Sequence, residues 1–166
     1  MGPTLDAMVA AFPTTDTLRI FIDGDACPVK DETLKVAARR HLPVVIVSNG
    51  GLRPSRDPNV RHVVVAKTAD AADDWIADAI RPGEIVITAD IPLAARVIAK
   101  DAHALAPNGR PFTPDSIGLA LAMRDLKQQL RETGEIKGYN AGFTREDRSR
   151  FLDALDGLAR KAGATP

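Results

Sequence analysis

Short doubly apolar runs alternate with stretches of helical periodicity through the first two thirds of the chain. Residues 18–22, 44–47, 60–66 and 85–88 predict strands, and 102–105 a fifth. These runs are β-branched and apolar on both faces, which is the pattern of strands buried between two layers of helices. Helical spacing covers 29–41, 71–80 and 93–100. Turn-forming stretches separate these elements: NGGLRPSRDPN at 49–59, RPGE at 81–84 and PNGRPFTPD at 107–115.

The last third reads as helix only. Thr113 and Pro114 form an N-cap and first-turn pair for a helix running to about Glu132, with Gly134 as its stop. Thr144 and Asp147 make a capping box for a final helix that carries Phe151, Leu155 and Leu158 on one face. Strand–helix alternation with strands of this kind predicts an α/β fold: a three-layer α/β/α sandwich with a mainly parallel central sheet and C-terminal helices. A single domain is expected over 1–166, with an α/β core at about 18–112 and the helical part at about 113–162. In such sheets ligands bind beyond the carboxyl ends of the strands.

Composition narrows the class without naming a function. The chain has 166 residues, 45% apolar and 27% charged, enough to bury a core without staples. Lys plus Arg equals Asp plus Glu at 22 each, which argues mildly against strong nonspecific nucleic-acid binding. The single cysteine, Cys27, excludes an intramolecular disulfide and a multi-cysteine zinc site. The opening MGPTLDAMVAAFP has no basic start and too short an apolar run for a signal peptide, so a cytoplasmic protein without membrane contact is expected.

The strand ends carry the chemistry. LRIFIDGDACP delivers Asp23 and Asp25 after the first strand, VVIVSNGG delivers Ser48 and Asn49 after the second, and EIVITADIPLA delivers Thr88 and Asp90 after the fourth. The helix entering the fourth strand, DAADDWI, adds Asp70, Asp73 and Asp74. So many carboxylates at one crevice repel unless a cation sits among them. Oxygen donors without His or Cys partners suit Mg²⁺ or Mn²⁺ and not zinc. A dication held there activates water and neutralises charge on a phosphate, which points to phosphoester cleavage.

Plainer readings compete for several of these residues. Asp70 suits a helix cap, Asp90 before Pro92 suits another, and Asp25 suits a turn. Asp23, directly after Ile20-Phe21-Ile22, has the weakest structural excuse. Cys27 before Pro28 reads as a small buried residue, Trp75 as core, and His41, His62 and His103 as structural or solvated. Arg53 and Arg56 after Asn49, with Arg124, Lys127 and Arg131 at three- and four-residue spacing, rim a substrate cleft or form solvated faces.

The segments FIDGDACPVKDE, VVIVSNG, DAADDWIADAIRPGEIVITADIPLAARVIAKDAHALAPNGRPF, MRDLKQQLRETGE and FTREDRSRFLDAL resemble the bacterial YaiI/YqxD family, from about Arg19 to Leu158. That family is regarded as PIN-like, which implies a metal-dependent nuclease, most plausibly of RNA. The resemblance implies Asp23, Asp73 and Asp90 as catalytic acids and metal ligands, with Asp25 and Asp70 supporting; TADIPLA resembles the T-x-D-x-x-L pattern of PIN nucleases. Two alternatives stand beside it. FIDGDACP also resembles the D-x-D motif of haloacid-dehalogenase-type phosphatases, with Asp23 as nucleophile, Asp25 as acid/base and Lys67 or Lys100 holding phosphate. The third reading is a non-catalytic module that binds RNA or protein.

Overall fold

The computed structural model describes residues 18–24, 27–50, 56–68, 70–132 and 143–164. Asp25 and Arg53 lie outside these residues, as do the side chains of Lys127 and Arg131. The chain runs β1 (Ile20–Asp23), α1 (Lys30–Arg40), β2 (Val44–Ser48), β3 (Val60–Val64), α2 (Ala71–Ala79), β4 (Ile85–Ile87), α3 (Ile91–Ile98), β5 (His103–Leu105), β6 (Pro111–Phe112), α4 (Pro114–Glu132) and α5 (Arg145–Ala164).

The six strands form one sheet in the order β3-β2-β1-β4-β5-β6. All neighbours are parallel except β5 and β6. The two-residue side-chain period of a strand sorts the apolar residues between the faces. Ile20, Ile22, Val44, Ile46, Ile85 and Ile87 point to one face and pack with Val36 and Ala37 of α1 and Phe151, Leu155 and Ala159 of α5. Phe21, Val45, Val47 and Val86 point to the other, against Ile76 of α2, Leu93 and Val97 of α3 and Ile117 of α4. The expected three layers are therefore present, with α1 and α5 on one side and α2, α3 and the start of α4 on the other. Trp75 joins the second cluster, its ring centroid 6.2 Å from that of Phe21. No helix among the described residues is long and apolar enough to cross a membrane.

Local caps follow the sequence closely. Thr144 and Asp147 close their capping box reciprocally, each backbone N–H donating to the other side chain at 3.0 Å. Thr113 does the same with Ser116 at the head of α4. Two expectations need correction. The stretch 107–115 is not all loop: Pro111–Phe112 pairs antiparallel with β5, a strand too short to carry any periodicity. The third strand stops at Val64 instead of reaching Ala66: its neighbour β2 ends at Ser48, and the Val65 N–H donating to Ser48 O (2.8 Å) is the last bond between them.

The turn before β6 depends on one glycine. Gly109 has φ +88°, and a Cβ there would lie 2.5 Å from backbone atoms of Arg150 and Phe151 in α5. Neither backbone atom has room to yield. Gly109→Ala is expected to cost about 1–3 kcal/mol by overpacking and positive-φ strain. Urea unfolding checks it; a midpoint unchanged from wild type would mean that α5 shifts freely.

Candidate acidic site at the strand ends

The strand order reverses between β1 and β4, so a crevice opens at their carboxyl ends. Asp23 is the last residue of β1, and Thr88 and Asp90 follow β4. Buried Thr88 ties the two ends together. Its hydroxyl donates to Asp23 Oδ2 at 3.0 Å, and its oxygen accepts the Asp90 N–H at 3.0 Å. Asp90 also caps α3, its Oδ1 accepting the Leu93 N–H at 2.9 Å, with Pro92 in the first turn. The capping and cleft readings of Asp90 are thus compatible, since one oxygen caps while the residue lines the crevice.

A cleft of about 320 Å³ is lined by Asp23, Asn49, Lys67, Thr68, Asp73 and Asp90, with Val65, Ala66 and Ala72. A second, also about 320 Å³, shares Asp23 and Asp90 and adds Cys27, Ile87, Thr88, Ala89 and Pro107. The two carboxylates stand between the clefts. Asp73, in the first turn of α2, is the most perturbed group of the site, its carboxyl pushed up to about 7. Burial contributes most, followed by the charges of Asp90 and Asp23, a hydrogen bond with Asp90, and the charge of Asp70. A hydrogen bond between two carboxyls needs a proton on one of them. These three acids, of which Asp73 holds its proton far above the ordinary aspartate range, are the electrostatic core of the site.

The other residues separate clearly. Asp70 sits at the N-cap position of α2 but makes no side-chain cap, and reaches the site through its charge on Asp73. Asp74 turns away: it is exposed and pairs with Arg96 of α3 at 2.8 Å. Buried Ser48 accepts the Gly50 N–H at 3.3 Å and so shapes the turn that carries Asn49. Arg56 is exposed, and Arg124 lies out on α4 beside Asp125 at 3.7 Å. Lys100 is spent on α2, its Nζ donating to Ala77 O at 2.7 Å. Lys67 and Thr68 were the cleft residues that the residue pattern understated. The rule that singled out Asn49, a polar residue just past a strand, applies to them as well.

Cys27 is no activated nucleophile. Burial pushes its thiol up; a hydrogen bond from the Val29 backbone opposes this, and the charges of Asp23 and Glu32 add to it. His62 and His103 lie within β3 and β5, both pushed down mainly by burial, and neither lines the acidic clefts. Among the described residues, no group of three or more His, Cys, Asp and Glu is arranged to hold a metal ion.

These features define an α/β protein with a mostly parallel six-stranded sheet and an acidic crevice at its switch point. Residues 21–161 match the family described as uncharacterized, YaiI/YqxD, and the chain belongs to that family. It is 64% identical over 149 residues to UPF0178 protein mlr0875 of Mesorhizobium japonicum, covering 89% of this chain and 96% of the relative. It is 61% identical over 137 residues to a UPF0178 protein of Parvibaculum lavamentivorans, covering 82% and 90%. UPF0178 protein Atu1478 of Agrobacterium fabrum is 58% identical over 143 residues, covering 86% and 94%. No solved structure matches the chain.

Proposed function

We propose that this protein is a divalent-metal-dependent phosphodiesterase, with RNA as its substrate class, working at the Asp23–Asp73–Asp90 crevice. The observation that carries the reading is the convergence of these three acids on one cleft, where burial first and the charges of Asp90 and Asp23 next push the Asp73 carboxyl up to about 7. A site that disfavours its own ionisation gains by taking up a cation. The donors are oxygens only, as Mg²⁺ and Mn²⁺ prefer.

The described acids do not form a closed cage. That fits an ion held by one or two carboxylates, with water and substrate oxygens completing its shell, the usual arrangement for Mg²⁺. When bound, the ion lowers the pKa of water and offsets charge building on the phosphate. Asp23, fixed by Thr88, and Asp90, fixed by its own cap, are the preorganised ligands. Asp73 stands beside these two and adds a negative charge to the site on losing its proton. Lys67 and Asn49 in the same cleft supply a cation and an amide for substrate phosphate. The PIN-like resemblance points to the same three acids.

Calorimetric titration with Mn²⁺ and Mg²⁺ tests the site, on wild type and on an Asp23→Asn/Asp90→Asn double variant. Wild type is expected to bind and the variant not to; metal-dependent cleavage of RNA should vanish with binding. Hydrolysis of phosphomonoesters alone would favour the phosphatase reading, in which Lys67 holds the phosphate. Intact RNA with no metal uptake, tested with substrate present, would leave the non-catalytic module.

A further inference from the structure

We infer, on the phosphodiesterase reading of the acidic crevice, that the second cleft is a subsite for the nucleobase beside the bond that is cut. Asp23 and Asp90 line both clefts, so whatever fills one lies next to whatever fills the other across the same two acids. The strand order sets their directions. Asn49 follows β2 and Lys67 follows β3, so the first cleft runs towards one edge of the sheet. Ala89 follows β4 and Pro107 follows β5, so the second runs towards the other edge. A nucleotide chain laid across the strand ends therefore meets both, with the acids between them. Each cleft encloses about 320 Å³, which suits a single small unit of such a chain.

The two clefts differ in chemistry. The first offers Lys67, Asn49 and Thr68: a cation, an amide and a hydroxyl, the donors that an anion takes. The second offers Cys27, Ile87, Ala89 and Pro107, with no cation among its described lining residues. Its hydroxyl is already committed, because Thr88 donates to Asp23 Oδ2 at 3.0 Å and accepts the Asp90 N–H at 3.0 Å. Cys27 packs on the buried cluster that includes Ile22 and Ile87, where a thiol serves as a small hydrophobe with only a weak donor. A phosphate in this cleft would face Asp23 and Asp90 with no side-chain cation to offset its charge. A group with apolar faces and no charge meets no such repulsion. In a nucleotide chain, the group of that kind beside every phosphodiester is the base.

Cys27 is the only cysteine of the chain, so its thiol reports on the second cleft without any need for catalysis. Alkylation of the full chain by iodoacetamide, with Mn²⁺ present, is followed by mass spectrometry. The ligands are uridine 5′-monophosphate, uridine 3′-monophosphate and ribose 5-phosphate, the last of which carries the phosphate and sugar but no base. At about ten times its half-protecting concentration, at least one uridine phosphate is expected to slow alkylation ~10-fold. Ribose 5-phosphate should leave the rate almost unchanged. Ala89→Phe, at an exposed position on the cleft wall, should remove most of the protection and keep the wild-type melting temperature. Ala89→Leu serves if the ring disturbs the fold.

Equal protection by all three ligands, or protection by none, overturns the subsite, and so does an Ala89→Phe protein protected like wild type. The failure of the enzyme reading would look different. Protection by a uridine phosphate alone, in a protein that neither takes up Mn²⁺ nor cleaves RNA, would sustain the base subsite and remove the phosphodiesterase. Mn²⁺ uptake and RNA cleavage without base-dependent protection would keep the phosphodiesterase and remove the subsite.

Discussion

Glu84→Ala is expected to lose about 3–5 kcal/mol of stability, a large share of the 5–15 kcal/mol available to a domain of this size. Glu84 is wholly buried at the amino end of β4 and takes five hydrogen bonds. Arg19 donates its backbone N–H (2.9 Å), Nε (2.7 Å) and Nη2 (3.1 Å); Arg81 donates its backbone N–H (2.7 Å) and Nη2 (3.2 Å). Arg19 also donates to Ala79 O (3.0 Å) and lies 4.8 Å from the Phe21 ring centre, so truncation strands a nearly buried guanidinium. Burial alone would push the Glu84 carboxyl up, but the bonds from Arg19 and Arg81 win and hold it below the ordinary glutamate range. A depressed carboxyl stabilises fully above the unfolded value of about 4.3 and progressively less as pH falls through the folded one. Urea midpoints measured from neutral pH downward should therefore fall more steeply below about pH 4 for wild type than for the variant. A variant within about 1 kcal/mol of wild type at neutral pH would show that water satisfies Arg19.

The second large effect has opposite signs on stability and activity. Asp73→Asn should lower metal-dependent cleavage at least ~100-fold, by removing a negative charge beside the two proposed ligands, while making the fold more stable at neutral pH. Here the folded carboxyl lies above its unfolded value, so the folded state holds the extra proton between about pH 4 and about pH 7. That contribution is complete below the unfolded value and is lost as pH rises through about 7. Wild type should lose about 1–2 kcal/mol across the window, allowing for solvent screening of a partly exposed group, and the asparagine variant should not. Thermal melts from pH 4 to pH 8 check this. Adding Mn²⁺ above pH 7 should raise the wild-type melting temperature more than the variant's. Parallel pH profiles for the two proteins would show that the three acids do not interact.

The paired effects separate two kinds of ionised residue in one sheet. At the amino ends of β1 and β4, Glu84 is matched by Arg19 and Arg81, and removing one partner leaves a buried charge alone. At the carboxyl ends the acids are mismatched in the free protein. Such a mismatch is costly for folding and is the usual signature of a site kept for a ligand. The same contrast holds for Asp156, bound by Arg40 at 2.8 and 3.0 Å where α5 meets α1: its carboxyl is held down, first by that bond. Its role is to dock a helix.

Several elements were legible without coordinates because their signals are local. The doubly apolar runs at Ile20–Asp23, Val44–Ser48 and Ile85–Ile87 demand burial on both faces, whatever lies above and below. The N-cap at Thr113 and the capping box at Thr144 need only the next three residues. Asp23, Asn49 and Asp90 were legible as strand-end residues, since parallel order follows from strand–helix alternation. Other features need partners far along the chain. Glu84 looks like a turn residue in RPGE until Arg19, 65 positions earlier, is folded against it. Asp73 and Asp74 are neighbours in one run, and a turn of helix alone sends the first into the cleft and the second to Arg96. The sequence by itself determined the alternation of layers and the acids that end the strands, because side-chain periodicity is a property of adjacent residues. Which acids crowd together and which carboxylate is matched by arginine were decided only by the tertiary structure, because electrostatic energy and burial depend on distances that the chain closes only when it folds.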